Sequence, residues 1–269
     1  MFSARVFAPE SVDVYYRKNF GSERHLDGQR INAEVNFIAL QRLVPIEQIN
    51  TVMDVGCGYG SLLSKLQDTG KTVRGIELSE QEAAHGRGLG LEISEETIED
   101  YCARGHTFDL VTCFEVIEHV RNPWSFTENL ARLVKPSGYL VVMTDNFECK
   151  VVRAMGPAFP KWIPHTHISH FSARTFLSTF QALAGFGITD FLSFTPWELG
   201  LKRFLLNLRA RRSAKESFSL KEAIGTEMQG RGRLTRARML VNPIWFRISS
   251  RNDLSGQLMY VAAQRATSS

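Results

Sequence analysis

The sequence predicts an α/β protein built on a mostly parallel β-sheet with helices on both faces, and three observations carry that expectation. Short apolar runs alternate with helix-like periodicity from residue 51 to beyond residue 180, the order that parallel strands joined by crossover helices require. The first apolar run ends in a turn holding Gly56, Gly58 and Gly60, directly ahead of a helical pattern. The chain's 269 residues, 43% of them hydrophobic, are enough to fill one large core.

Taken in order, Ile31, Val35, Ile38, Leu40 and Leu43 form an approximately helical stripe over 29–43 that stops before Pro45. Strands are expected at 51–55, 71–77, around 90–93, at 108–114 and at 139–144. A helix at 175–183 and strands at 187–195 and 256–263 follow. We read one domain over 1–269: an N-terminal helical cap (1–47), a core (48–195), a basic insert or lid (196–255) and a last strand (256–265).

The insert carries most of the charge. The net +4 of the whole chain conceals 13 Lys/Arg against 4 Asp/Glu between Glu198 and Arg251. Leu201, Phe204, Leu205 and Leu208 follow i, i+3, i+4, i+7 spacing among Lys202, Arg203, Arg209, Arg211 and Arg212, and Arg231, Arg233, Arg236 and Arg238 form a second cluster. A solvated helix over the site, peripheral contact with a membrane surface and nucleic-acid binding all fit such a segment. Nucleic acid ranks last, because Phe204, Phe218, Trp245 and Phe246 show no stacking motif.

No stretch approaches the ~20 uninterrupted apolar residues that cross a bilayer, and the N-terminus lacks a basic region followed by an apolar core. A cytoplasmic protein, with membrane association through the insert as an option, is the expectation. Cys57, Cys102, Cys113 and Cys149 show neither close pairing nor zinc-type spacing and read as reduced thiols.

The glycine turn is where chemistry enters. Glycines allow close backbone approach to a ligand, and a following helix leaves amides free to face an anionic group. A dinucleotide fingerprint needs its third glycine at position 61, where this chain has Ser61. The first strand holds Asp54, and the second ends at Glu77. Two carboxylates at strand ends suit a ligand carrying both an amine and a ribose diol, because each group donates hydrogen bonds to them. S-adenosylmethionine carries both.

In Val52 to Gly60, Gly75-Ile76-Glu77-Leu78, Phe108-Asp109-Leu110-Val111 and Leu133 to Leu140, the chain resembles class I S-adenosylmethionine-dependent methyltransferases. It is most similar to the branch that includes ubiquinone-pathway O-methyltransferases, over roughly 48–187. The resemblance implies a Rossmann-like seven-stranded sheet whose last strand is antiparallel, with S-adenosylmethionine as cofactor. Gly56, Gly58 and Gly60 would approach it by backbone, Asp54 would take its amino-acid end, and Glu77 its ribose. Thr97 and Ile98 would flank the adenine, and Leu78 and Phe114 would complete the lining.

A second constellation is Glu115, Glu118 and His119, followed by His165, His167 and His170. One helical turn would put the first three on one face. Three readings stand open. Glu115, Glu118, His119 and His167 could hold Mg²⁺, whose role would be to polarise a substrate hydroxyl, a pattern that resembles the metal-binding turn of small-RNA 2′-O-methyltransferases. His119 or His170 could act as a metal-free general base. The residues could also brace a loop. The expected reaction is O-methylation of a small-molecule or lipid-linked acceptor. Metal-assisted RNA 2′-O-methylation and non-catalytic S-adenosylmethionine binding are the alternatives.

Overall fold

The structure is a computed structural model and describes residues 23–162, 167–201 and 232–267. Helix α1 (Glu23–Leu43) begins six residues before the predicted start. The chain then alternates through β1 (Thr51–Val55), α2 (Ser61–Gln67), β2 (Thr72–Ile76), α3 (Glu80–Gly88), β3 (Glu92–Ser94) and α4 (Ile98–Cys102). It continues with β4 (Phe108–Phe114), α5 (Pro123–Arg132), β5 (Val134–Asp145), α6 (Lys150–Met155) and α7 (Ala173–Gln181). Strand β6 (Phe186–Phe194), α8 (Gly232–Ser249) and β7 (Leu258–Arg265) close the order.

The seven strands form one sheet in the order β3-β2-β1-β4-β5-β7-β6. Pairings among the first five are parallel, while β7 runs antiparallel to both β5 and β6. Both faces are covered, as successive residues show: Leu110, Val141 and Tyr260 pack with α1, α2 and Phe246 of α8. Their neighbours Val111, Val142 and Val261 pack with α4, α5 and α7. This period-2 division between two apolar layers is why the central strands read as continuous hydrophobic runs.

Strand β5 corrects one expectation. The Lys135-Pro136-Ser137-Gly138 turn lies inside the strand, which starts at Val134 instead of Tyr139. The register with β4 shifts between Phe108 and Leu110, and Ser137 takes φ +63° there. The extra residues are absorbed as a bulge.

Leu201 is helical and α8 carries the late basic residues from Arg233 onward. The rest of the predicted basic helix, Lys202 through Arg212, lies outside the described residues, as do Phe218, Arg231, His165 and the N-terminal 22 residues. No helix among the described residues is long and apolar enough to cross a membrane.

Candidate active site

A cavity of about 780 Å³ opens at the C-terminal ends of β1 to β4, where open α/β sheets place their ligands. Asp54, Gly56, Gly58, Glu77, Leu78, Thr97, Ile98 and Phe114 all line it. The backbone of the glycine turn explains its sequence. Gly56 and Gly58 sit at φ +76° and +55°, in the left-handed region that costs L-residues energy. A Cβ on Gly56 would lie 2.3 Å from Val116, and one on Gly58 would lie 2.2 Å from the Gln29 amide.

Two of the turn's own amides are taken up within the protein. The Gly58 amide donates to Glu77 Oε2 at 2.9 Å, and the Tyr59 amide to Gln29 Oε1 at 2.9 Å. Glu77 Oε1 accepts from the Ser79 amide at 2.8 Å, so Glu77 shapes the loop while facing the cavity. Burial raises its pKa. Asp54 is buried and accepts a 2.7 Å hydrogen bond from the Thr112 hydroxyl. Burial, partly offset by that bond and reinforced by Glu77, pushes Asp54 up to about 7.

Gly60 departs from its expected role, because it lies outside the cavity lining. It precedes α2 at φ +77°, and a Cβ there would meet Leu91 at 2.4 Å. Its glycine serves packing. The Thr97 hydroxyl caps α4, accepting from the Asp100 amide at 3.2 Å.

At the far end of the cavity the ends of β4 and β5 bring charges together. Glu115 follows β4 at φ +57°, a strained conformation for a residue with a side chain. It does not join a metal cluster. Its carboxylate accepts from Asn32 of α1 at 3.0 Å and pairs with Lys161. Lys161 Nζ also lies 3.1 Å from Asp145 at the end of β5, and Asp145 accepts from Gln257. Burial would raise Glu115, but the Lys161 charge and hydrogen bond outweigh it and hold that carboxyl below its usual range. Asp145 and Glu118, where burial wins over Lys161, are pushed up to about 7.

Glu118, His119 and His167 place one ligand atom each within 4.8 Å of one another. The His119 and His167 rings meet edge-on with centroids 4.7 Å apart. The main chain arranges this: the Ser169 amide donates to the Glu118 carbonyl at 3.0 Å, drawing His167 over the turn. Glu118 Oε2 accepts from the Thr144 hydroxyl at 2.9 Å, while its buried Oε1 has no hydrogen-bond partner among the described residues. His170 is elsewhere. It is not part of the cavity lining and packs edge-on against Phe147, centroids 4.3 Å apart.

The family model described as "Methyltransferase domain" matches residues 25–189, more than half of the chain. The chain belongs to this methyltransferase family. A ubiquinone biosynthesis O-methyltransferase of Thiobacillus denitrificans is 41% identical over 106 residues, a match covering 37% of this chain and 46% of that protein. The chain thus matches about half the length of that relative. Among solved structures, an S-adenosylmethionine-dependent methyltransferase of Thermotoga maritima superposes with a TM-score of 0.57 at 16% identity, covering 87% of this chain and 89% of the other. The plantazolicin methyltransferase BpumL, solved with S-adenosylhomocysteine, gives 0.54 at 12% identity, covering 96% and 90%. These two similarities show the shared fold.

In this member of the family the sequence brought most of the expected cofactor end into view and missed much of the other end. Gln29 and Asn32 of α1 wall the cavity, and their i, i+3 spacing beside the apolar stripe was the available signal. Glu82 was missed too: it pairs with His25 at 2.7 Å and accepts from Gln29. Lys161 has no local signature at all. It belongs to the site only because a loop folds it onto two strand ends.

Proposed function

We propose that this chain is an S-adenosylmethionine-dependent O-methyltransferase acting on a small-molecule or lipid-linked hydroxyl. The observation that carries this reading is the two-ended cavity, with a glycine and carboxylate wall at β1 and β2 and a histidine pair past β4. The residues suit the cofactor. Gly56 and Gly58 let the wall stand where a Cβ would not fit, and Asp54 and Glu77 offer acceptors to an ammonium and a ribose diol. Leu78, Ile98 and Phe114 offer apolar surface to the base and the thioether. S-adenosylmethionine bound there supplies an electrophilic methyl group.

The chain's own contribution at the other end is orientation and proton transfer. A ring nitrogen of His119 takes the acceptor hydroxyl proton as the oxygen forms its bond to carbon. Glu118, with an oxygen within 4.8 Å of the histidine donors, stabilises the imidazolium that results. Lys161 holds Glu115 and Asp145, so the loop carrying His167 stays docked. The 780 Å³ volume extends to Lys161 and His167, which supports room for an acceptor and weighs against non-catalytic binding.

A second reading rests on the same three donors. Glu118, His119 and His167 would hold a divalent ion able to polarise the hydroxyl. Two imidazoles and one carboxylate suit Mn²⁺, Fe²⁺ or Zn²⁺ better than Mg²⁺. The diversion of Glu115 to Lys161 removes the fourth donor that the RNA 2′-O-methyltransferase alternative calls for.

Turnover with S-adenosylmethionine against a panel of phenols, sugars, lipids and RNA tests the proposal. Methylation of a hydroxyl that His119→Gln abolishes, with cofactor affinity retained, supports it. Equal turnover by that variant removes the base, and loss of activity on exhaustive chelation promotes the metal reading.

A further inference from the structure

Helix α8 is turned inside out. A surface helix normally sends its apolar stripe inward and its polar face to water. Among the described side chains of α8 the buried positions are polar Asn242, which donates to Glu198 Oε1 at 3.0 Å, and Phe246, whose ring lies 5.0 Å from that of Phe194. The large aliphatic residues face away from the body. Leu240, Ile244 and Ile248 lie at i, i+4 and i+8 and are 72%, 57% and 73% exposed. Val241 and Trp245 run beside them and are also exposed. At 100° per residue these five cover an arc of about 140°, an exposed apolar face broad enough to mark an interaction surface.

Two further observations say what the surface meets. The first is charge. Exposed Arg247 lies at the edge of the apolar arc, on a helix whose sequence carries four arginines and no acidic residue. A second copy of the chain would bring this cationic helix against itself, because a two-fold interface pairs like surfaces. An anionic surface is the complementary partner. The second is a groove of about 420 Å³ next to the helix, walled by Phe194, Trp197, Leu201 and Trp245, with Arg251, paired to Asp253 at 2.9 Å, also in its lining. Trp245 is fixed by a hydrogen bond from its Nε1 to the Thr195 carbonyl at 3.1 Å, so its ring forms a rigid apolar wall. An apolar slot beside an apolar helix face that Arg247 borders is suited to a hydrocarbon tail below an anionic headgroup.

We propose that the outward face of α8 seats this protein on an anionic lipid surface, lying in the plane of the interface with Leu240, Ile244 and Ile248 immersed and Arg247 at headgroup level. The inference stands on α8 alone and does not depend on the methyl-transfer reading.

The test is sedimentation of the full chain with phosphatidylcholine vesicles, with and without phosphatidylglycerol. The protein is expected to bind the mixed vesicles, less so as salt rises, and to remain in the supernatant with pure phosphatidylcholine. The triple variant Leu240→Ser, Ile244→Ser, Ile248→Ser should bind at least about ten-fold more weakly while keeping the wild-type circular dichroism and thermal midpoint. Arg247→Glu should weaken binding to mixed vesicles alone. Failure of the wild type to bind, or equal binding by the triple variant, overturns the proposal. So does a wild-type oligomer in light scattering that the triple variant converts to monomer without any vesicle binding, which would assign the face to contact between copies.

Discussion

The two ends of the cavity are held by different forces. At the β1–β2 end, backbone amides do the holding: Glu77 and Gln29 each accept from an amide of the glycine turn at 2.9 Å. At the β4–β5 end, side-chain charges do it, with Lys161 between Glu115 and Asp145 and with Asn32 reaching across from α1. Backbone geometry tolerates changes in charge state. An ionic cluster with one lysine among three carboxyls does not, so perturbation should separate the two ends.

The largest effect is expected from Lys161→Met, which strands Glu115 and Asp145 without their cation. Breaking a buried pair costs about 3–5 kcal/mol. With 30% of the Lys161 side chain exposed, solvent screening places this case near the lower end, about 3 kcal/mol. Urea unfolding should show a lower midpoint at an unchanged slope, and an unchanged midpoint would mean the lysine is not what holds that end.

Next comes Glu77→Ala, which removes hydrogen bonds to a charged acceptor worth about 1.5–3 kcal/mol. Titration calorimetry should find S-adenosylmethionine bound ~10–100-fold more weakly, and retained affinity would count against the role of this carboxylate. A pair of glycine variants sharpens the distinction between lining and packing. Gly58→Ala and Gly60→Ala both place a side chain at positive φ, at a cost of about 1–2 kcal/mol. Only Gly58→Ala should weaken ligand binding beyond its effect on the thermal midpoint, since Gly60 faces Leu91.

The remaining effect is a slope with pH. Asp54, Glu118 and Asp145 titrate near 7 in the folded protein, against ordinary values of 3.8, 4.5 and 3.8. Between those values and 7 the folded state binds more protons than the unfolded chain, so stability falls as pH rises through that window. Thermal midpoints of the ligand-free protein should decline from about pH 5 to about pH 7.5. Asp54→Asn should flatten the decline, and an unaltered slope would show that this carboxyl is not titrating there.

The same division decides what could be read from the sequence. Asp54, the glycines and Glu77 fall within 24 consecutive residues, and each answers to a local rule of turns and strand ends. Strands β1 and β4 were legible to the residue for the same reason. The other end joins Asn32 to Glu115 across 83 positions and Lys161 to Glu115 across 46. No local pattern reports such pairings. His170 shows the converse hazard: its spacing in the His165-His167-His170 run suggested chemistry, but the fold spends it on Phe147 and Trp162. Inside-out α8 was equally hidden, because periodicity gives the width of an apolar face and not the direction it points.

Gln29 donates to Glu82 and accepts from the Tyr59 amide, so the first turns of α1 are fastened to the glycine loop that walls the cavity. A ligand held by Gly58 and Glu77 would lie against those turns. Amide hydrogen exchange over 25–32 should accordingly slow on saturation with ligand, more than exchange in the central strands, and equal protection in both places would mean the ligand does not rest on the start of α1.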